Sequence, residues 1–174
     1  KPSLWPSASQ CVKFNSDSRL RSAFGWHPKS LHENGGIDHE VNWERLDSRL
    51  GTRYCVALGE IGLDYTSRDV SREVQKRALP RLLELGRRRR LPIVIHCRGK
   101  NTLCQEASRD CLKILKKELH PSHTIHRHCF NGSLAEYTEW SEAFKNCYFG
   151  ITGIATLAKV HQHLSLVVSR ILGD

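Results

Sequence analysis

Methionine is absent from the 174-residue sequence, even at position 1, and aromatic residues make up only 7% of it. Because an intact translation product starts with methionine, we expect this chain to be a fragment of a longer protein. Apolar runs of about 18 residues, the length that a transmembrane helix needs, are also absent, so we expect no membrane-spanning segment. The hydrophobic fraction of 39% is low, but it suits one folded domain of this length.

Regular cysteine spacing is absent as well, because the seven cysteines are scattered and include no Cys-x-x-Cys motif. An odd number of scattered cysteines argues against the disulfide framework of a small secreted protein. No secretion signal is recognisable at the start of the chain. Together these features predict a location in the nucleus or cytoplasm.

Acidic residues are in short supply, with 18 against 27 Lys and Arg, which leaves a net charge of +9. Such an excess attracts an anionic partner such as nucleic acid, although solvated helix faces explain the charge equally well. The arginine run 87–90 lies in the last turn of a predicted helix, where cations suit the helix dipole. We interpret this run first as an exposed helix end and second as a nucleic-acid patch.

Strand and helix patterns alternate from residue 22 onward. The predicted strands cover residues 22–28, 54–63, 91–97, 123–130 and 147–153, and the predicted helices cover 39–50, 71–90, 101–119, 134–144 and 155–171. Strict alternation implies right-handed βαβ units and a parallel sheet. A TIM barrel has eight strands, so the fold class is α/β, an incomplete TIM (β/α)8 barrel with about five parallel strands over residues 22–174. Residues 1–21 are predicted to be an irregular N-terminal segment.

Glu60 lies inside the apolar run 57–65, where a carboxylate costs several kcal/mol unless it is paired, hydrogen-bonded or bound to a metal. His96 and His128 end two later strands, and the carboxyl ends of parallel strands meet at one edge. One carboxylate and two imidazoles suit zinc, manganese or iron. A metal-free acid paired with two histidines is the alternative interpretation.

The last histidine-bearing strand offers two histidines on one face, because positions 126 and 128 are two residues apart. His128 is nearer the carboxyl end, so it is the predicted ligand, and His126 is predicted to be a core or supporting residue. Cys97 and Cys129 each follow a histidine and therefore face the helices. We predict that both are packing residues rather than ligands.

Five segments, 26–28 (WHP), 59–65 (GEIGLDY), 92–98 (PIVIHCR), 128–132 (HCFNG) and 148–153 (YFGITG), together resemble the TatD family of metal-dependent deoxyribonucleases. Residues 59–65 resemble the GE(I/C/M)GLD(Y/F) motif of that family, and Gln75 matches a glutamine in the helix that follows it. The other four segments match in order and spacing. The resemblance implies a TIM-barrel metallohydrolase that cleaves phosphodiester bonds of DNA or RNA.

The resemblance also implies roles for individual residues. Glu60 would be the catalytic residue and would bridge two divalent ions, with His96 and His128 as further metal ligands. The expected ion is Mg²⁺, with Zn²⁺ or Mn²⁺ as alternatives. His27, which ends a strand, and Arg98 are candidate phosphate contacts, because Arg suits bidentate phosphate binding. A loop histidine without a function is an equally good interpretation of His27 on local sequence.

Two ligand motifs of the family have no counterpart in this sequence. Nothing in residues 1–21 matches the His-x-His of the first strand, and Asp174 lacks the Glu-Thr-Asp-Ala-Pro context of the last. Two alternatives to a nuclease therefore stay open: a catalytically inactive truncated homologue, and a metallohydrolase of the same fold that acts on a small molecule. The expected partner is DNA or RNA, and the oligomeric state is not predicted.

Overall fold

Strands and helices alternate along the chain as the sequence predicts. The computed structural model describes residues 8–14, 16, 17, 19–100, 105–153 and 158–172. The strands are β1 (Ser22–Phe24), β2 (Cys55–Asp64), β3 (Ile93–Arg98), β4 (Ile125–Arg127) and β5 (Cys147–Phe149). The α-helices are α1 (Ala8–Phe14), α2 (Glu40–Leu50), α3 (Arg72–Arg89), α4 (Gln105–Glu118), α5 (Leu134–Ala143) and α6 (Ala158–Leu172).

All five strands form one parallel sheet in the order β1-β2-β3-β4-β5. Each strand lies beside the next one in sequence, which is what repeated βαβ units produce. Within the described part of the chain β1 and β5 do not pair with each other, so the sheet is open. The prediction of an α/β fold with five parallel strands of an incomplete barrel is confirmed.

β2 is the longest strand and is buried along nearly all of its length. Its apolar residues follow one another rather than alternate with polar ones, and Leu58, Ile61 and Leu63 are fully buried. α3 packs against β2 and is capped by Ser71, whose hydroxyl accepts a hydrogen bond from the Val74 backbone N–H. A Cβ atom at Gly86 would lie 2.9 Å from Leu58 Cδ2, so glycine there lets the helix approach the strand closely.

The arginine run at the end of α3 is exposed and engaged in ion pairs. The Asp47 carboxylate of α2 forms ion pairs with Arg88 at 3.3 Å and with Arg89 at 2.8 Å. Arg87 forms an ion pair with Glu84, one helical turn earlier. These pairs join α2 to α3 at the surface. The interpretation of this run as an exposed helix end is confirmed.

Two predictions near the start of the chain are wrong. Residues 8–14 of the segment predicted to be irregular form α1, because Cys11 packs into the main core and is only 3% exposed. The strand predicted over 22–28 ends at Phe24, and residues 28–30 and 33–38 form short 3-10 helices, within which carbonyls accept hydrogen bonds from the Trp26 and Trp43 indoles. None of the helices in the described ranges is long and apolar enough to cross a membrane.

Candidate metal centre

Three side chains converge at the carboxyl edge of the sheet. Glu60 comes from β2, His96 from β3, and His128 directly follows β4. Glu60 Oε1 lies 2.6 Å from His96 Nδ1 and also contacts His128 Nε2, and the two imidazole nitrogens are 3.3 Å apart. Each of the three residues therefore offers one ligand atom, and these three atoms all lie within 4.8 Å of one another.

The electrostatics of this cluster favour an anionic Glu60. Burial raises the pKa of Glu60, but hydrogen bonds with His128 and His96 outweigh burial and hold that pKa well below its usual range. Burial lowers the pKa of His96, whereas Asp64 and Glu60 raise it, and the net direction is upward. A metal ion requires the neutral form of His96, so the upward shift of its pKa opposes metal binding at low pH.

Asp64 orients His96 from the side opposite Glu60. The Asp64 side chain is 1% exposed, and its Oδ2 accepts a hydrogen bond from His96 Nε2 at 2.9 Å. A carboxylate on one imidazole nitrogen fixes the ring and leaves the other nitrogen free for a metal. His96 Nδ1 is therefore the nitrogen that faces Glu60 and His128.

Two neighbours hold Asp64 in place. Thr66 donates from its backbone N–H at 2.9 Å and from its hydroxyl at 2.5 Å to Asp64 Oδ1. The buried Gln75 amide bonds both backbone groups of Asp64, accepting from the N–H at 2.7 Å and donating to the C=O at 2.9 Å. Gln75, noted in the sequence only as a motif residue, thus fixes the end of β2.

His27 lies beside the cluster and is neutral. Its Nδ1 accepts the Lys29 backbone N–H at 3.1 Å, so Nε2 carries the proton, 3.7 Å from Glu60 Oε1. Burial and the nearby charge of His96 lower the pKa of His27 to about 4. His27, Asp64 and His96 form a second group whose ligand atoms lie within 4.8 Å of one another.

A cavity of about 490 Å³ opens next to Glu60. Lys29 reaches into this region, with Nζ 3.5 Å from Asp64 Oδ2, and its side chain is 43% exposed. The cavity is lined by Ala23, Phe24, Gly25, His27, Lys29, Ser30, Gly59 and Glu60. The only sequence signal for Lys29 is its position directly after the Trp-His-Pro motif, and no residue pattern predicts that it reaches the site.

The remaining predicted residues have mixed outcomes. Arg98 is exposed at the end of β3, two residues after His96, and its contact with phosphate stays a prediction. His126 is exposed and lies outside both groups of potential ligands in the described residues, so it is not a core residue, and its role as a supporting residue stays a prediction. Cys97 is buried as predicted, but Cys129 is exposed, because β4 ends at Arg127 and Cys129 adopts a left-handed backbone with φ 48°.

The donor set fits a divalent cation. Two imidazole nitrogens and one carboxylate oxygen make a common ligand set for transition metals, and the Asp64–His96 hydrogen bond supplies the outer support that such ligands require. Glu60, His96 and His128 would hold the ion. Their roles as ligands stay predictions, whereas their convergence is a feature of the fold.

Comparisons with known proteins agree with this architecture. The human protein named "3′-5′ RNA nuclease TATDN2" is 35% identical over 135 residues, which are 77% of this chain and 16% of that protein. "3′-5′ ssDNA/RNA exonuclease TatD" of Citrobacter koseri is 31% identical over 134 residues, 76% of this chain and 48% of that one. The "uncharacterized metal-dependent hydrolase YabD" of Bacillus subtilis is 30% identical over 114 residues, 66% of this chain and 40% of that one.

A solved structure and a family match complete the comparison. The crystal structure of YjjV, a TatD homologue from Escherichia coli K12, superposes with a TM-score of 0.71 at 26% identity, over 87% of this chain and 54% of that one. The chain thus spans about half, or less, of the proteins that it matches. The family described as "TatD related DNase" matches residues 5–174. With this match over nearly its whole length, the chain belongs to the TatD DNase family.

Proposed function

We propose that the protein is a metal-dependent hydrolase that cleaves phosphodiester bonds of nucleic acid, with Glu60 at the centre of its active site. The observation that carries the proposal is the convergence of Glu60, His96 and His128 at the carboxyl edge of the sheet. Names of relatives support the substrate class, because the human and Citrobacter proteins are named as RNA or ssDNA nucleases.

A divalent ion held by Glu60, His96 and His128 would lower the pKa of an attacking water and polarise a phosphoryl oxygen. Mg²⁺ is the first ion to test, and the two imidazoles make Mn²⁺ and Zn²⁺ the alternatives. Glu60 supplies the negative charge that attracts the ion. Asp64 keeps His96 Nδ1 turned toward Glu60, so that the ligand set is ready before the ion arrives.

Neutral and cationic donors beside the cluster suit a phosphate group. His27 presents its Nε2–H toward Glu60 and can donate to a phosphate oxygen without carrying charge. Lys29 and Arg98 add positive charge near the same edge, and an arginine fork binds phosphate in a bidentate manner. The cavity beside Glu60 offers room for the phosphate and its sugar.

The test is digestion of 5′-labelled single-stranded RNA and DNA by the purified protein with Mg²⁺. We expect shortening from the 3′ end that EDTA abolishes. Glu60→Gln should lower the rate at least about 100-fold, because the loss of metal-derived stabilisation costs several kcal/mol. Glu142→Gln, which changes an exposed carboxylate of α5, is the matched control and should retain the rate. Activity that persists in EDTA and in Glu60→Gln would overturn the proposal.

Salt dependence separates nucleic acid from a small substrate. Binding of labelled single strands to the EDTA-treated protein should weaken steeply as salt increases, because phosphate contacts release counterions. Salt-independent or absent binding, combined with chelator-sensitive hydrolysis of a small ester, would favour the small-molecule hydrolase. A folded protein that hydrolyses neither substrate would be the inactive homologue.

We also propose a nuclear or cytoplasmic location, supported by the free thiols of the described cysteines.

A further inference from the structure

Arg127 is a fully buried arginine directly before the ligand His128. It is the last residue of β4, has 0% exposed surface and lies on the helix-facing side of the strand together with Ile125. An apolar residue would serve the core at this position at no electrostatic cost. A buried guanidinium costs several kcal/mol unless it is paired and hydrogen-bonded, so its contacts indicate what it does.

The guanidinium links the backbones of the two histidine-bearing strand ends. Arg127 Nη1 donates to the His128 carbonyl at 3.3 Å, and Nη2 donates to the Cys97 carbonyl at 3.3 Å. Cys97 directly follows His96. The regular β3–β4 ladder ends at the pair Ile95–Arg127. Arg127 therefore joins the two strands just beyond the point where strand pairing stops, which is where the histidines must be held.

α5 holds the guanidinium from behind. Glu136 Oε1 lies 3.7 Å from Arg127 Nη2, and the Glu136 residue is only 6% exposed. Trp140, one turn further along α5, places its ring 5.4 Å from the guanidinium carbon. A Cβ at Gly132 would lie 2.4 Å from Glu136 Oε2, so glycine makes room for this inward-turned carboxylate. Glu136 thus faces Arg127 as a charge partner without a hydrogen bond between them.

We propose that Arg127 is a positioning residue that, held by Glu136, sets the separation of His96 and His128 and thereby the metal affinity of the site. The inference rests on the proposed metal centre and deepens it. Neither Arg127 nor Glu136 reaches the ligand atoms, so both act through the backbone of the ligand strands. An arginine suits this task because its planar fork holds its donors at a fixed separation, whereas the compact ammonium of lysine sits on a flexible stem.

The test uses Co²⁺ as a spectroscopic probe of the metal-free protein. Arg127→Met and Arg127→Lys should each lower Co²⁺ affinity by about 10- to 100-fold, the usual loss when an outer support of a metal ligand is removed. Both should also shift the visible Co²⁺ absorption bands. Glu136→Gln should lower the affinity as well, but it should have no further effect when added to Arg127→Met, because it acts through Arg127.

A core variant separates positioning from general loss of stability. Phe144 is 1% exposed in the main core, and its apolar ring cannot hydrogen-bond to the two carbonyls, so Phe144→Leu should lower the unfolding temperature but keep Co²⁺ affinity within twofold. In the metal-free protein, Arg127→Lys should move the ring ¹⁵N signals of His96 and His128, and Phe144→Leu should not. If Arg127→Met does not fold, the Co²⁺ affinity and the histidine signals of Arg127→Lys alone test the inference.

Failure of the inference differs from failure of the proposed function. If wild-type protein binds Co²⁺ but Arg127→Lys has the same affinity, spectrum and histidine signals, Arg127 is not a positioning residue and the metal centre stands. If wild-type protein does not bind Co²⁺, the metal centre falls and the claim about affinity falls with it. Equal losses in Phe144→Leu and Arg127→Lys would also overturn the inference.

Discussion

At the scale of single residues, Asp64 decides which nitrogen of His96 points into the site. The Asp64 carboxylate accepts a hydrogen bond from His96 Nε2, so Nδ1 is the ring nitrogen that faces Glu60 and His128. Gln75 in turn holds both backbone groups of Asp64. The convergence of Glu60, His96 and His128 thus depends on the supports that Asp64 and Gln75 supply, an arrangement that is usual around metal-ligating histidines.

His27 provides a residue-scale prediction that depends on pH. In the folded, metal-free protein it should titrate near 4 instead of 6.5, because burial and His96 disfavour its charged form. The unfolded state then binds more protons between these values, so the contribution of His27 to stability is complete above pH 6.5 and is lost as pH falls toward 4.

The measurement is the NMR titration of the His27 imidazole Cε1–H signal, assigned by its loss in His27→Gln. A midpoint near 6.5 would contradict the prediction and would mean that His27 is solvated in solution. It would also remove the basis for treating His27 as a neutral donor to phosphate.

At the scale of elements, α3 shows how a local signal supports the site. Ser71 caps its first turn, Arg90 ends it in a left-handed conformation, and its buried face packs on the strand that carries Glu60. α3 also supplies Gln75 to the end of that strand. The start of this helix therefore affects both stability and the geometry around Asp64.

Ser71→Ala should lower the free energy of unfolding by about 1 kcal/mol, because the first turn loses a side-chain partner for a backbone N–H. Ser169→Ala is the control, since Ser169 is exposed within α6 and caps no helix. Urea unfolding of the two variants provides the measurement. Equal midpoints for Ser71→Ala and wild type would show that the cap bond does not form in solution.

At the scale of the whole molecule, the candidate site joins three consecutive strands of an open sheet. Glu60, His96 and His128 come from β2, β3 and from just beyond β4, and the main core lies behind them against the helices. The unfolded chain cannot bring these ligands together. Metal binding should therefore be linked to folding.

Mn²⁺ at 100 times its dissociation constant should stabilise the protein by about 2.7 kcal/mol and raise its unfolding temperature by about 5 to 10 °C. EDTA should reverse the shift, and His128→Gln should abolish most of it. His120→Gln changes an exposed histidine far from the ligand edge and should keep the shift. Differential scanning calorimetry decides, and a similar shift in both variants would mean that the ion binds elsewhere.

The sequence by itself determined the strand order and the convergence of three candidate ligands. The position and the end of a strand are set by residues that are neighbours in the sequence. Parallel βαβ units then bring the carboxyl ends of consecutive strands to the same edge of the sheet. Glu60, His96 and His128 were therefore predictable. The helical state of residues 8–14 was not, because the burial of Cys11 in a distant core decides it.

Only the tertiary structure decided the supports around the ligands. Lys29 against Asp64, Gln75 on the Asp64 backbone and Arg127 between two strand ends are contacts between side chains and partners on other elements. The contacts of long side chains depend on rotamers and on the exact separation of elements, which no sequence period encodes. The exposure of Cys129 follows from where β4 stops, which is likewise set by pairing with its neighbours.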